Sequence, residues 1–547
     1  MGTPFEISDQ YVDSLAELDP LFATSLGRTD SRWPDLSPAG LATRRDRTTQ
    51  FFQRFAEHLD HPEPRQRLAA RVLAQSIQEY LDALDNGDQY DDLRHMASTF
   101  QRLRSVFDLM ATNTDDDWEA IRTRLSTIDA AYHGYVATLT EGIQMGRTVA
   151  MRQVLSVIDQ AEGLAGEVSS FYAITEKARG TGHETAIADA VEHARRAVHA
   201  FGEFLRNEYL VHASHEDGVG EDRYRRAADR FVGMSVDPHE AYAWGWEELE
   251  RLLAEMHDVG EQIRPGATFA EVTDLLETDP ERAAHSPQDF VQFIAERQQR
   301  ALDELAGTHF DVPSEIREVT VQIAPPGGPL GAYYTGPSED FSRPGGIWYS
   351  TGDQTVFPLY HQVSTAYHEG FPGHHLQVGT AATSIEQISR GQRRTIWYPG
   401  YGEGWALYAE RLMGELGYLE SPDYVFGMLS KHMYRAVRVV VDIGLHLGLE
   451  IPSTAPLHAG QPWTFDTAVE YLQVYGFRTP AQAPNEVLRY LGWPGQAISY
   501  KLGERAILAL RDDALEAGIE LKEFHRRMLT SGAMRLDMLR GIVLESQ

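Results

Sequence analysis

Cysteine is absent from all 547 residues, and with it go disulfides, thiolate metal sites and a cysteine nucleophile. Any bound metal must then be held by histidine and carboxylate. Lysine is nearly as scarce: only Lys177, Lys431, Lys501 and Lys522 occur, and arginine supplies the other positive charge, as a skewed codon composition would produce. No uninterrupted apolar run reaches the roughly 18 residues that cross a bilayer. The nearest, VVVDIGLHLGLEI, is interrupted by Asp442 and His446. The first twenty residues show neither the basic start nor the apolar stretch of an export signal, and Glu6 stands where a myristoylation signal needs Ser or Thr. The expectation is a cytoplasmic chain without a membrane partner. Repeats of fixed period and low-complexity tracts are also missing.

Positive charge is in deficit. With 49 basic and 81 acidic residues the net charge is −32, so the summed field repels nucleic acid and anionic lipid. Hydrophobic residues at 42% and charged residues at 24% are ordinary for a globular protein and exclude a disordered or collagen-like chain. A chain this long exceeds what one core organises, which predicts several packed units or a two-lobed body around a cleft.

From about residue 5 to 310 apolar residues recur at three- and four-residue spacing, as in LAARVLAQSIQEYLDAL and EAYAWGWEELERLLAEMHDVGEQI, with breaks at turn-rich stretches such as HPEPRQ and SHEDGVGED. This predicts a helical lobe over 1–310, covering a cleft. Between 311 and 356 the runs EVTVQIAPP, GAYYTGP and GGIWYSTGD are β-branched and aromatic and bounded by Pro and Gly, which predicts short strands. Helical periodicity then returns to the C-terminus, making 311–547 the expected metal-binding lobe. The fold class is mainly α, with a small sheet just before a histidine-rich segment.

That segment reads YHEGFPGHHLQ over 367–377. A zinc hydrolase of the HExxH kind uses one helical turn to bring two imidazoles to the ion, with Glu beside the first His to polarise water. His368-Glu369 begins the pattern, but Pro372 occupies the fourth position, and the next imidazoles are His374 and His375. In an undistorted helix these lie about 9 to 10.5 Å up the axis, too far for easy convergence. Pro removes a helical hydrogen bond and Gly frees the backbone, so Pro372-Gly373 is expected to eject two residues as a bulge and return His374 to the place of an i+4 ligand. A third ligand is expected from GYGEGWALYAERL. Glu403 is the candidate there, and Glu410, seven residues on along the same face, is either a rival or a helix carboxylate paired with Arg411 or another surface charge.

HEGFPGHHLQ, GYGEGWALYAERL, YRAVRVVVDIGLH and GWPGQAISYKLGERAILALR together resemble the H-E-x-x-P-G-H, E-G-W-A-L-Y-A-E and P-G-Q-A-x-S-Y-K motifs of the bacterial DUF885 family, a group placed with the zincin-like metallopeptidases. The resemblance runs from about 310 to 547. It implies a two-lobed helical zincin-like fold and favours His374 over His375 as ligand. EGWALYAE is also similar to the third-ligand helix of the M1 aminopeptidases, which implies Glu403 as ligand. Relatives in the wider clan, such as the angiotensin-converting-enzyme and M32 carboxypeptidase groups, imply a helical body with the site in a deep cleft.

Around the metal, GGIWYSTGD with Tyr349 is the candidate edge strand on which an extended substrate could lie, with a plain hairpin as the alternative. Tyr500 is the candidate oxyanion donor, with Tyr471 and Tyr475 as its rivals, and Lys501 beside it is a candidate substrate contact. Arg435, Arg438, Asp442 and His446 share one face of an apolar helix. They form either an internal ion-pair ladder or a site where an Arg grips a substrate carboxylate and His446 lies near the metal. His361, His432 and His525 read as surface or helix-packing residues. The expected activity is hydrolysis of peptide or peptide-like amides of short substrates, with one Zn2+ per chain on His368, His374 and Glu403 and Glu369 as general base. Iron or manganese suits the same ligands. The alternatives are a non-catalytic metal-binding protein and an amidase acting on a non-peptide small molecule.

Overall fold

Helical periodicity becomes helices over most of the chain in the computed structural model, which describes residues 2–324, 331–338, 341–352 and 354–545. The chain forms two compact units: Met1–Val219 with Leu488–Trp493, and Gly220–Val487 with Pro494–Gln547. In the first, amphipathic helices bury an aromatic and aliphatic core. Phe201 stacks on Phe100 and Tyr135 at ring separations of 5.7 and 5.3 Å. Arg124, fully buried, satisfies its guanidinium on Thr24 Oγ1 and the Pro20 and Arg32 carbonyls.

The boundary expected at residue 310 falls inside the second unit, because the helices from 221 to 305 pack with the C-terminal half. Pro238–Ile263 lies along Pro422–Leu447, and Pro287–Leu305 covers the Val319–Ile323 strand. Periodicity shows that a helix has a buried face but not which helix covers it.

The three expected strands form: Val319–Ile323, Ala332–Thr335 and Gly345–Tyr349. Pro325, Pro326 and Asp353, at the ends of the predicted runs, lie outside the described residues. Gly345–Tyr349 is the central strand, parallel to Val319–Ile323 and antiparallel to Ala332–Thr335. Both its edges are occupied, so it cannot be the substrate-binding edge strand that its position before the histidine segment predicted. The sheet packs through Val321, Ile347 and Tyr349 against Phe290, Ile294 and Ala366, which fixes the helix bearing His368.

Candidate metal centre

The histidine segment breaks completely instead of bulging. One helix, Gln362–Glu369, ends at Gly370, and another, His374–Thr383, starts after Gly373. Neighbours take up the backbone groups the break exposes. Buried Gln298 accepts from Phe371 N at 2.6 Å and donates to Ala366 O at 2.9 Å. Trp405, also buried, donates its indole N–H to Pro372 O at 2.9 Å. Gly373 permits the tight return: a β-carbon there would sit 2.0 Å from His368 O and 2.4 Å from Tyr367 O. Gly373→Ala is expected to cost on the order of 1–3 kcal/mol in denaturant unfolding, because neither carbonyl can yield without moving the His368 helix.

The third element is the Pro399–Glu415 helix. Gly400 and Gly404 lie within it and permit contact with Ser499–Glu516: a β-carbon on Gly503 would meet Gly400 O at 2.2 Å, and one on Gly404 would meet Gly503 C at 2.6 Å. That close approach seats Glu403 between the two histidines. Its Oε2 stands 3.4 Å from His368 Nε2 and 3.7 Å from His374 Nε2. All three donor atoms lie within 4.8 Å of one another. Three ligands bonded to one tetrahedral zinc at about 2.0–2.2 Å stand roughly 3.3–3.6 Å apart, so the donor set and its spacing fit such an ion. Burial would raise the Glu403 pKa, but hydrogen bonds and charge from His368 and His374 hold it well below the carboxylate range. His375 is excluded as a ligand. Its Nε2 lies 2.7 Å from Ile316 O and its Nδ1 3.0 Å from the Tyr334 hydroxyl.

Glu410 is neither a ligand nor a surface charge. It is buried, and its Oε1 lies 2.8 Å from His368 Nδ1, which leaves Nε2 for the metal side. Behind it runs a buried polar chain. His432, fully buried and held neutral by burial and by Lys501, stands between Glu410 Oε2 at 3.8 Å and Glu504 Oε1 at 3.4 Å. Lys501 contacts Glu504, and its Nζ lies 2.7 Å from Glu248 Oε1. Glu248, whose pKa burial alone would raise, is held down to about 2 by Arg251 and Lys501. Lys501 is thus enclosed by carboxylates and does not face substrate, and His432 belongs to this chain and not to the surface.

The other expected residues divide. Glu369 follows His368 directly and is half-buried. Its pKa is raised, chiefly by burial and further by Glu403, against the charges of His368, His374 and Arg435. Tyr349 is buried within electrostatic reach of Glu369, and its hydroxyl has no hydrogen-bond partner among the described residues. Tyr500 lies under two guanidiniums, Arg438 at 4.8 Å and Arg435 at 5.8 Å from its ring centre. His446 is not beside the three converging donors. It sits eleven residues, about 16 Å of helix, beyond Arg435, 5.4 Å from the Tyr224 ring and 3.8 Å from Asp442. Tyr471 donates to Leu457 O at 2.6 Å, with the Tyr475 ring tilted against it at 5.8 Å. His525 packs as expected, 4.6 Å from the Phe310 ring.

Two contributors were not legible. Gln298 lies seventy residues upstream in an ordinary amphipathic helix, where no local signal marks it. Trp397, 53% exposed with its ring 6.3 Å from that of His374, precedes the Glu403 helix in a stretch without a motif.

Two solved structures share this fold. A crystal structure of the "putative lipoprotein" from Colwellia psychrerythraea aligns with a TM-score of 0.84 at 22% identity, covering 99% of this chain and 98% of that one. The structure of a "putative lipoprotein of unknown function" from Shewanella oneidensis aligns at 0.74 and 16% identity, over 100% of both chains. No curated protein matches the sequence. The pattern of a bacterial family of unknown function, DUF885, spans residues 20–543 and takes in the histidine break, the Glu403 helix and the Lys501 segment; the chain belongs to that family.

Proposed function

We propose that the protein is a zincin-like, metal-dependent hydrolase of amide bonds in short peptides. What carries this reading is the convergence of His368, His374 and Glu403 with a carboxylate, Glu369, next to the first histidine. Zn2+ is the proposed ion, and iron and manganese suit the same donors. When bound, the ion would supply Lewis-acid polarisation and acidify a water toward neutral pKa. Glu369, with its raised proton affinity, accepts a proton from the attacking water and delivers it to the leaving nitrogen. Tyr349, a buried phenol with an unused hydroxyl near Glu369, is better placed than Tyr500 to donate to the developing oxyanion. Glu410 holds the His368 ring in the orientation that presents Nε2. The proposed location is the cytoplasm, and fractionation of producing cells tests it: recovery with the membranes would overturn it.

Metal analysis tests the centre directly. One zinc per chain is expected in the purified protein and none in His374→Ala, and the zinc-loaded parent is expected to cleave members of a di- and tripeptide set. Binding also reports protonation. Burial would depress His368, but hydrogen bonds with Glu403 and Glu410 hold its pKa at about 9, above the ordinary 6.5. After chelation, rebinding must displace that proton, so affinity is expected to climb as pH rises toward 9 and to level off above it. Zinc-loaded protein that cleaves no peptide would overturn the hydrolase reading.

A further inference from the structure

In a chain with 81 acidic and 49 basic residues, an arginine rarely wants for a carboxylate. Arg411 has Glu255 at 3.0 Å and Arg511 has Glu415 at 3.1 Å. Beside the metal ligands the pattern changes. Arg435 reaches Glu410 only at 3.7 Å, and that oxygen is already taken by His368. Its Nε and Nη1 are buried and have no hydrogen-bond partner among the described residues. Arg438 has Glu486 at 3.8 Å, and among the described residues no carboxylate pairs with Arg478, whose Nε donates to Gly476 O at 3.0 Å.

These three guanidiniums gather on two phenol rings. Arg438 and Arg478 lie 4.0 and 4.2 Å from the centre of Tyr434, and Arg438 and Arg435 approach Tyr500. Aromatic faces offset part of the cost of crowding cations but satisfy none of their N–H donors. Lys431 feels the same field: burial, then the charges of Arg478 and Arg435, pushes its pKa down to about 7. A cationic cluster in which Arg435 keeps two unused donors, within electrostatic reach of Glu369, is built to receive an anion.

We propose that the Arg435, Arg438 and Arg478 cluster binds the terminal carboxylate of the substrate, so that the enzyme acts at the C-terminal end of short peptides. This rests on the hydrolase reading and names its substrate class. Guanidinium groups match a carboxylate with paired, charge-assisted hydrogen bonds, which a terminal carboxamide cannot return.

The test is calorimetric binding of the tripeptide Ala-Ala-Phe and its C-terminal amide to the full-length, zinc-loaded Glu369→Gln protein. The free acid is expected to bind at least about tenfold tighter than the amide. Arg435→Gln should erase that difference between acid and amide, and Arg435→Lys should keep part of it. Equal affinities, a preference that survives Arg435→Gln, or no binding of either peptide would overturn the proposal. So would an Ala-Glu-Phe amide that binds as tightly as the free acid, since the recognised carboxylate would then be a side chain. Because the readout is binding, an absence of turnover in the parent counts against the hydrolase reading and leaves this comparison decisive.

Discussion

Glu369→Gln is expected to lower peptide cleavage by about 10²- to 10⁴-fold while leaving one zinc per chain. The substitution preserves size but removes the group that takes and returns the proton. Glu369 is not among the three converging donors, so metal content should not change. Its environment is suited to a base: burial raises its pKa from the carboxylate range, and Glu403 raises it further. Simultaneous metal analysis and peptide turnover check the result. Retained turnover within about tenfold of the parent would move the base elsewhere, and loss of zinc would make Glu369 a ligand.

Lys501→Met is expected to cost about 3–5 kcal/mol in denaturant unfolding. Lys501 is 2% exposed, and it neutralises Glu504 and Glu248, whose side chains are 3% and 8% exposed. Removing the cation leaves two buried carboxylates without their shared partner: Glu248 keeps Arg251 at 2.7 Å, but Glu504 is left with Arg411 at 3.9 Å. Methionine fills most of the volume, so the loss reports charge and not a cavity. Glu504→Gln added to Lys501→Met should recover part of the stability, because one of the stranded charges is then gone. A Lys501→Met protein as stable as the parent would show that the chain from Lys501 to Glu410 is solvated or protonated differently from the arrangement described.

Much of this was legible in order along the chain. Helices followed from three- and four-residue apolar spacing, the short strands from β-branched runs between Pro and Gly, and the convergence of His368, His374 and Glu403 from the break at Pro372-Gly373 and the motif around Glu403. The break itself was predicted as a bulge, since composition reveals that a helix cannot continue but not what receives the freed backbone groups. Gln298 and Trp405 receive them, and both come from helices remote in sequence.

Charged residues were the least legible. Lys501 beside a tyrosine suggested a substrate contact, and His446 on a polar stripe suggested the metal, yet one is locked among carboxylates and the other lies along the helix by Tyr224. Glu410 was weighed as a rival ligand or surface charge and instead orients His368. Helical spacing gives the face on which a side chain lies, and the sign of its charge limits its partners. The choice among partners depends on distances of a few ångströms across packed helices.

By itself, then, the sequence determined the chemistry available: no thiols, histidine and carboxylate donors, a forced chain break between two imidazoles, and a helical body to carry them. Tertiary packing decided which of several similar groups took each role. It did so because electrostatic and hydrogen-bond energies fall steeply with separation and burial, and those depend on which helices come into contact.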